Sequence, residues 1–436
     1  MDNLLLPEDF LIGTATASYQ VEGASKEGGR TDCIWDTFAH VPGAVYAGAD
    51  GKVACDQYHR YEEDIKLMAK LGFESYRFSV SWSRIFPQND NIVNEEGINY
   101  YKALIKCLHD NGMKAALTIY HWDLPQYLQD IGGWANRETS IAFANYAKTL
   151  FIELNNSVDY WITINEPFCI CHLGHLFGVH APGIKDLTTF NKTVHNVNLA
   201  HGMAVKEYRK LNLKAPIGIT LNPSTPRPAS RRAEDITAAE IAREFETEVF
   251  LAPLMGKPYP EVFHKEDCQI EEKDMELIAQ KIDFMGINFY QEGAVYTDEA
   301  NPLGYSWAPN WQDTTAMDWP ITPDGLYNQL KFFDEYTNHL PLYITENGLA
   351  SDDVVENGRV HDKQRIEYIK AHLKICQKAI ENKVNLKGYY VWSFIDNFEW
   401  AFGYSRRFGI VYCDYQTLTR TPKDSAYFMR DVIARG

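Results

Sequence analysis

The chain alternates between two kinds of segment along its whole length, and this alternation limits the possible folds more than any other feature. Short runs rich in β-branched and aromatic residues occur eight times, at residues 10–18, 75–82, 114–122, 160–167, 216–224, 283–290, 341–348 and 386–396. Between them lie segments with helical periodicity, such as residues 59–72, in which Ile65, Met68 and Leu71 share one face. Strands separated by helices pair in parallel. Eight such units predict an α/β fold, a closed (β/α)8 TIM barrel with extended βα loops, and we assign residues 1–436 to that single domain.

A doubly wound open sheet is the alternative arrangement for such a pattern. That fold usually carries a glycine-rich nucleotide-binding turn after its first strand. The glycines of residues 23–29 have neither that spacing nor the spacing of a phosphate-binding loop. The closed barrel is therefore the preferred prediction.

Composition restricts the partners and the compartment. The formal net charge of -17 over 436 residues would repel nucleic acid and anionic membranes. Residues 1–18 lack the features of a signal peptide, and no apolar run approaches the roughly 20 residues of a membrane-spanning helix. The eight cysteines have no regular spacing, as expected for reduced thiols. We therefore expect a cytoplasmic protein without nucleic-acid or membrane partners; whether it forms a homo-oligomer is left open.

Polar and aromatic side chains cluster where the predicted strands end. The fourth and seventh strands end in glutamates, Glu166 and Glu346, and the third ends in His121, Trp122 and Asp123. The remaining strand-end residues are Trp82, Asn288, Tyr290 and Trp392. Active sites of such barrels lie at the carboxyl ends of the strands. A carboxylate at these positions is expected to face a pocket.

Two glutamates on different strand ends suit the cleavage of a glycosidic bond. A separation of about 5–5.5 Å lets one carboxylate attack the sugar directly, whereas about 6.5–9.5 Å leaves room for a water molecule. The sequence by itself does not decide between these. Either glutamate alone could equally be held by an arginine in a structural ion pair.

Several motifs in chain order resemble glycoside hydrolase family 1, the β-glucosidase family. They are "FLIGTATASYQVEGA", "YRFSVSWSRIFP", "TINEP", "NFY", "ITENG" and "WSFIDNFEWAFGYSRRFGIVY", and together they span essentially the whole chain. The resemblance implies a retaining β-glycosidase with a covalent glycosyl-enzyme intermediate, without metal or cofactor. The implied substrates are small β-glucosides and oligosaccharides, with galactosides and fucosides left open, and transfer to a sugar acceptor could compete with hydrolysis.

The same resemblance implies a role for individual residues. Glu346 would be the nucleophile and Glu166 the acid/base. Arg77 would support the ionised form of Glu346, as would hydrogen bonds from Asn288 or Tyr290. Implied sugar-binding residues are Gln20, His121, Asn165 and Glu399, with Trp392 as a stacking floor and Trp122 and Trp400 along the wall.

Two details bear on the substrate. Relatives that act on 6-phosphorylated sugars carry Ser and Lys or Tyr where this chain has "FEWAFGYS", and a charged Glu399 would repel a phosphate, so we expect an unphosphorylated sugar. Many relatives have Trp after Asn-Glu-Pro, whereas this chain has Phe168 on the leaving-group side. Its aglycone preference is therefore open.

Two other functions compete with this interpretation. Cys169, Cys171, His172 and His175 could form a metal site. A helix starting near Pro167 would, however, turn the two cysteines to different faces, so ordinary helix packing is favoured. The other alternative is a non-catalytic sugar-binding barrel, but both glutamates and their neighbours are present.

Overall fold

Eight parallel strands close into a barrel in which each strand pairs with its sequence neighbours. The computed structural model describes residues 4–88, 92–310 and 312–434. In chain order the barrel strands are β1 Leu11–Ala15, β2 Ser75–Ser79, β3 Lys114–Tyr120, β4 Tyr160–Asn165, β5 Ile217–Leu221, β6 Phe284–Asn288, β7 Leu342–Asn347 and β8 Leu386–Trp392. The barrel closes because β1 pairs with both β2 and β8. The TIM-barrel prediction is confirmed, and each strand lies within its predicted run.

Helices connect successive strands around the barrel. The long ones are Gln57–Lys70, Glu95–Asp110, Arg137–Glu153, Leu187–Lys210, Ala233–Arg243, Pro323–Tyr336, Lys363–Glu381 and Asp424–Ile433. Shorter α-helices are Ser18–Val21, Ile34–Phe38, Trp82–Ile85, Gln126–Gln129, Val249–Leu254 and Asp274–Ile278. The apolar face predicted for the first long helix is confirmed, because Ile65 and Met68 are buried.

The strands read as apolar runs because both of their faces are covered. Every residue of β1, β2, β5 and β6 is buried. Inside the barrel, Gly286 leaves room for the hydroxyls of Thr220 and Thr345, and a Cβ at Gly286 would lie 2.3 Å from Thr220 Oγ1. Thr345 in turn donates to Asn288 Oδ1 at 2.8 Å. This packing orients the Asn288 amide at the end of β6.

Long connections follow the carboxyl ends of several strands. One small sheet is built from Arg227–Pro228, Ala294–Thr297 and Tyr305–Trp307, and a hairpin from Val411–Cys413 and Arg420–Pro422. Two segments are π-helical, Cys169–Leu176 and Glu244–Glu248. The 3-10 turns are Tyr46–Gly48, Gly133–Ala135, Lys265–Asp267 and Trp400–Phe402.

Trp82 lies at a different place from the one that its position at a strand end predicts. Trp82 does not face a pocket: it begins a short helix and is fully buried, stacked on Tyr146 at 4.7 Å between ring centroids. The assignment of residues 1–436 to one domain stays a prediction, and residues 1–3, 89–91, 311 and 435–436 of that range lie outside the described residues. In the described ranges, no helix has the length and apolar character needed to cross a bilayer.

Candidate active site

A cavity of about 460 Å³ opens at the carboxyl ends of the barrel strands. Ten of the thirteen residues predicted to serve catalysis or sugar binding line it: His121, Trp122, Glu166, Phe168, Asn288, Tyr290, Glu346, Trp392, Glu399 and Trp400. The other three, Gln20, Arg77 and Asn165, are buried and hydrogen-bond to residues of the lining. The strand ends thus bring the predicted set together around one space.

Glu346 lies at the end of β7 between a cation and a hydroxyl. Arg77 Nη1 is 2.6 Å from its Oε1, and the Tyr290 hydroxyl donates to Oε2 at 2.6 Å. The Arg77 guanidinium also donates to the Thr345 carbonyl oxygen and to Thr118 Oγ1. Because Arg77 extends from β2 into the barrel with 1% of its surface exposed, its charge is poorly screened there.

Glu166 follows β4 and is held by neutral donors. Asn288 Nδ2 donates to its Oε1 at 2.5 Å, and the Cys169 thiol lies 3.0 Å from its Oε2. Its backbone is left-handed, with φ of 49°. Such a conformation is unfavourable for a non-glycine residue and is typical of functional sites.

Their different surroundings give the carboxyl groups of Glu166 and Glu346 different pKa values. Burial and, after it, the charge of Glu346 together raise the pKa of Glu166 to about 8, against the opposing hydrogen bonds from Asn288 and Cys169. Burial also raises the pKa of Glu346, but the Arg77 guanidinium and the Tyr290 hydroxyl oppose that rise. Glu346 is therefore the group that ionises first, while Glu166 keeps its proton near neutral pH.

A hydrogen-bond network fixes the orientation of His121. Asn165 Oδ1 accepts from Arg77 Nη2 at 2.6 Å and from Asn288 at 3.1 Å, so its amide nitrogen faces His121 Nε2 at 3.0 Å. Burial, followed by the nearby Arg77 charge, holds the pKa of His121 well below its usual range. The ring is neutral, Nε2 accepts and Nδ1 carries the proton. Nδ1 has no hydrogen-bond partner among the described residues, so it can donate to a ligand.

Gln20 and Glu399 form a second polar group. Gln20 Nε2 donates to the Phe398 carbonyl oxygen at 2.8 Å and to Asn397 at 3.0 Å, and lies 3.5 Å from Glu399 Oε2. Gln20 Oε1 has no partner in the described part of the chain. Burial raises the pKa of Glu399 to about 8, with further contributions from Glu346 and Glu166. Glu399 is therefore mostly protonated at neutral pH.

Aromatic rings form much of the wall. The His121 ring lies near-parallel to Trp392, at 5.9 Å between centroids, and to Trp400, at 6.0 Å. Trp122 contacts Trp400 at 4.6 Å between centroids, and its indole nitrogen donates to the Asn165 carbonyl oxygen. Trp122 and Trp400 also have positive φ, 74° and 47°. Phe168 lies on the lining and stacks on His172 at 4.2 Å.

Sequence reasoning did not identify most of the outer wall. It includes His180, Asn222, Trp307, Trp319, Phe402 and Phe408, which lie on the long connections after β4, β5, β6 and β8. Their positions depend on how those connections fold over the barrel. No spacing rule in one sequence gives that information.

The four candidate metal ligands are directed elsewhere. Cys169 contacts Glu166, and Cys171 is fully buried. His172 Nε2 lies 3.1 Å from the Phe245 carbonyl oxygen, and His175 Nδ1 lies 2.8 Å from that of Ile170. Across residues 4–88, 92–310 and 312–434, no group of three His, Cys, Asp or Glu side chains is arranged to hold a metal ion.

Comparison with known proteins gives matches along almost the whole chain. Residues 3–436 match the sequence profile of Glycosyl hydrolase family 1. A β-glucosidase A of Acetivibrio thermocellus is 46% identical over 99% of this chain and 99% of that protein. A bifunctional β-D-glucosidase/β-D-fucosidase of Bifidobacterium breve is 39% identical over 99% of this chain and 98% of that protein. The solved family 1 β-glucosidase of Thermotoga maritima superposes with a TM-score of 0.96 at 47% identity, covering 99% of this chain and 98% of that one.

Proposed function

The chain belongs to glycosyl hydrolase family 1, and we propose that it is a retaining β-glucosidase with Glu346 as nucleophile and Glu166 as acid/base. It would release terminal, non-reducing β-D-glucosyl residues from small glucosides and oligosaccharides. The observation that carries the proposal is the asymmetry of the two carboxyls. A guanidinium and a phenol hydroxyl hold Glu346, whereas an amide and a thiol hold Glu166.

In the first half-reaction the ionised Glu346 attacks the anomeric carbon of the sugar. Glu166 gives its proton to the glycosidic oxygen as the bond to the aglycone breaks. The pKa of Glu166, raised to about 8, keeps that proton available at neutral pH. The leaving group departs as a neutral alcohol, and the sugar remains as an ester of Glu346.

In the second half-reaction the same pair works in reverse. Esterification removes the negative charge of Glu346, which is one of the causes that raise the pKa of Glu166. That pKa then falls, so Glu166 can accept a proton from the incoming water. Water attacks the anomeric carbon, Glu346 leaves as a carboxylate, and the configuration of the sugar is retained.

Glycone recognition would rest on polar atoms that have no hydrogen-bond partner among residues 4–88, 92–310 and 312–434. His121 Nδ1 is available as a donor and Gln20 Oε1 as an acceptor. Glu399, close to Gln20, can donate or accept according to its protonation. Trp392 would contact the apolar C–H face of the ring.

We propose that the glycone is unphosphorylated, for a reason that differs from simple repulsion. With its pKa raised to about 8, Glu399 is mostly protonated at neutral pH, so its charge is not the main obstacle to a phosphate. Among the described residues that line the cavity there is no lysine or arginine, so a phosphate would lose water without gaining a cation. The fucosidase activity in the name of the Bifidobacterium breve relative makes β-fucosides a second class to assay.

The test is hydrolysis of p-nitrophenyl β-D-glucoside and its 6-phosphorylated analogue by wild type, Glu346→Ala and Glu166→Ala. We expect wild type alone to cleave the unphosphorylated glucoside efficiently. Azide should restore turnover of an activated glucoside to Glu166→Ala with release of a β-glucosyl azide, because the small anion replaces water and needs no base. A folded wild type inactive on glucoside, galactoside and fucoside would support a sugar-binding protein instead, and an inverted product would refute the double displacement.

A further inference from the structure

A thiol is in contact with the carboxyl of the proposed acid/base. Cys169 Sγ lies 3.0 Å from Glu166 Oε2, while the Asn288 amide donates to the other oxygen. The Asn222 amide in turn lies 3.4 Å from Cys169 Sγ. Each oxygen of the Glu166 carboxyl therefore has one neutral donor, and a third donor holds the thiol in place.

The backbone makes this contact rigid. The Cys169 amide donates to the Glu166 carbonyl oxygen at 3.0 Å, so residues 166–169 form one closed turn. Glu166 enters that turn in the left-handed conformation, with φ of 49°. Both the main chain and the side chain of Cys169 are thus tied to Glu166, and its side chain is buried at the wall of the cavity.

The thiol keeps its proton in this environment. Burial raises the pKa of Cys169 well above its usual range, and the charge of Glu166 raises it further. A protonated thiol is a weak donor, and within the described part of the chain the one carboxyl oxygen in its reach is Oε2 of Glu166. The thiol therefore acts as a hydrogen-bond donor to the Glu166 carboxyl group rather than as a nucleophile.

We propose that Cys169 is a positioning residue for acid catalysis. By occupying one lone pair of Oε2, it fixes the plane of the Glu166 carboxyl and confines the transferable proton to the lone pairs left free. This inference rests on the proposed role of Glu166. It predicts that loss of the thiol affects substrates in proportion to their need for a proton.

The chain offers a matched set of variants for the test. Cys169→Val removes the donor with little change in volume, and Cys169→Ser restores one. Cys171→Val is the control, because Cys171 is also buried and lies in the same π-helical segment. Each variant is assayed on 2,4-dinitrophenyl β-D-glucoside, whose leaving group needs no proton, and on cellobiose, whose leaving group does.

General-acid catalysis accelerates a reaction by about 10²–10⁴-fold, and misorientation of the Glu166 carboxyl should remove part of this acceleration. We expect Cys169→Val to lower kcat/KM for cellobiose about tenfold and that for the dinitrophenyl glucoside less than about twofold. The basic limb of its pH profile should move up by about half to one unit, because the lost thiol favoured the carboxylate. Cys169→Ser should recover both, and Cys171→Val should resemble wild type.

Equal losses on the two substrates, or an unchanged rate on cellobiose, would overturn the positioning role. Infrared spectroscopy adds a readout that does not need turnover. The S–H stretch assigned to Cys169 by subtraction of Cys169→Val should change frequency in Glu166→Gln, and an unchanged frequency would refute the contact. Failure of the proposed function is distinct, since wild type would then be inactive on both substrates.

Discussion

The hydroxyl of Tyr290 allows a direct test of how Glu346, the proposed nucleophile, is kept ionised. It donates to Glu346 Oε2 at 2.6 Å inside the cavity, and Tyr290→Phe removes this hydrogen bond alone. The backbone anchor of the residue is retained, because the Tyr368 hydroxyl donates to the Tyr290 carbonyl oxygen. The Arg77 contact to Oε1 also remains, so Glu346 is not left unpaired.

The size of the effect follows from the charge on the acceptor. A hydrogen bond to an ionised group contributes about 1.5–3 kcal/mol. One pKa unit corresponds to about 1.36 kcal/mol, so the pKa of Glu346 should rise by about one to two units in Tyr290→Phe. Glu346 must be ionised to attack, and the acidic limb of kcat/KM reports its pKa in the free enzyme. That limb should therefore move to higher pH by the same amount.

The assay is kcat/KM for p-nitrophenyl β-D-glucoside across the pH range in which the protein stays folded. Tyr389→Phe is the control, because its buried hydroxyl donates at 2.6 Å to Asn347, next to Glu346, and not to a cavity carboxyl. An equal loss of kcat/KM at all pH values in Tyr290→Phe would show that the Tyr290 hydroxyl does not keep Glu346 ionised. So would a shift of the acidic limb in Tyr389→Phe as large as that in Tyr290→Phe.

Three further predictions concern specificity and stability. Phe168 lies on the proposed leaving-group side of the cavity, so Phe168→Trp should change the ratio of kcat/KM for cellobiose to that for p-nitrophenyl glucoside. The rate of hydrolysis of the glucosyl-enzyme, measured by pre-steady-state kinetics, should stay the same. Arg365→Met should lower the free energy of unfolding in urea by about 3–5 kcal/mol, because the fully buried Arg365 pairs with both Asp353 and Asp362; Lys423 still pairs with Asp353, but the buried Asp362 carboxylate loses its cation. His201 and His372 are buried and neutral, with pKa lowered to about 3 and about 4. In the unfolded chain these histidines take up protons below about pH 6.5, whereas in the folded protein they stay neutral. Each histidine should therefore lower the free energy of unfolding by up to about 1.4 kcal/mol per pH unit as the pH falls from about 6.5 towards 4. His372→Phe should reduce this pH dependence, as measured by urea titrations at several pH values.

The barrel could be predicted because its information is local. A strand that is buried on both faces appears in the sequence as a short apolar run, and a helix that covers it has apolar residues at helical spacing. Each of the eight strand–helix units can therefore be recognised separately in the sequence. The position of Glu166 and Glu346 followed from the same logic, since parallel strands end on one side. Trp82 shows the limit of that logic: it follows β2 but packs outside the cavity against Tyr146.

What could not be predicted depends on contacts between distant segments. The sequence favours helix packing for Cys169, whereas its thiol contacts Glu166, which adopts a left-handed conformation just before a π-helical segment. The protonated state of Glu399 likewise arises from burial and from two other carboxyls brought close in space. Neither effect has a sequence signature.

Arg77 joins parts of the barrel that are far apart in the chain. From β2 it reaches Thr118 on β3, Asn165 on β4 and both Thr345 and Glu346 on β7. The proposed nucleophile, Glu346, is consequently paired with its guanidinium partner and oriented in the cavity only when β2 and β7 have been brought together. Enzymatic activity is then a reporter of ring closure: two complementary fragments, or a circularly permuted chain, should become active only on assembly of the complete ring, even where a partial barrel is already compact.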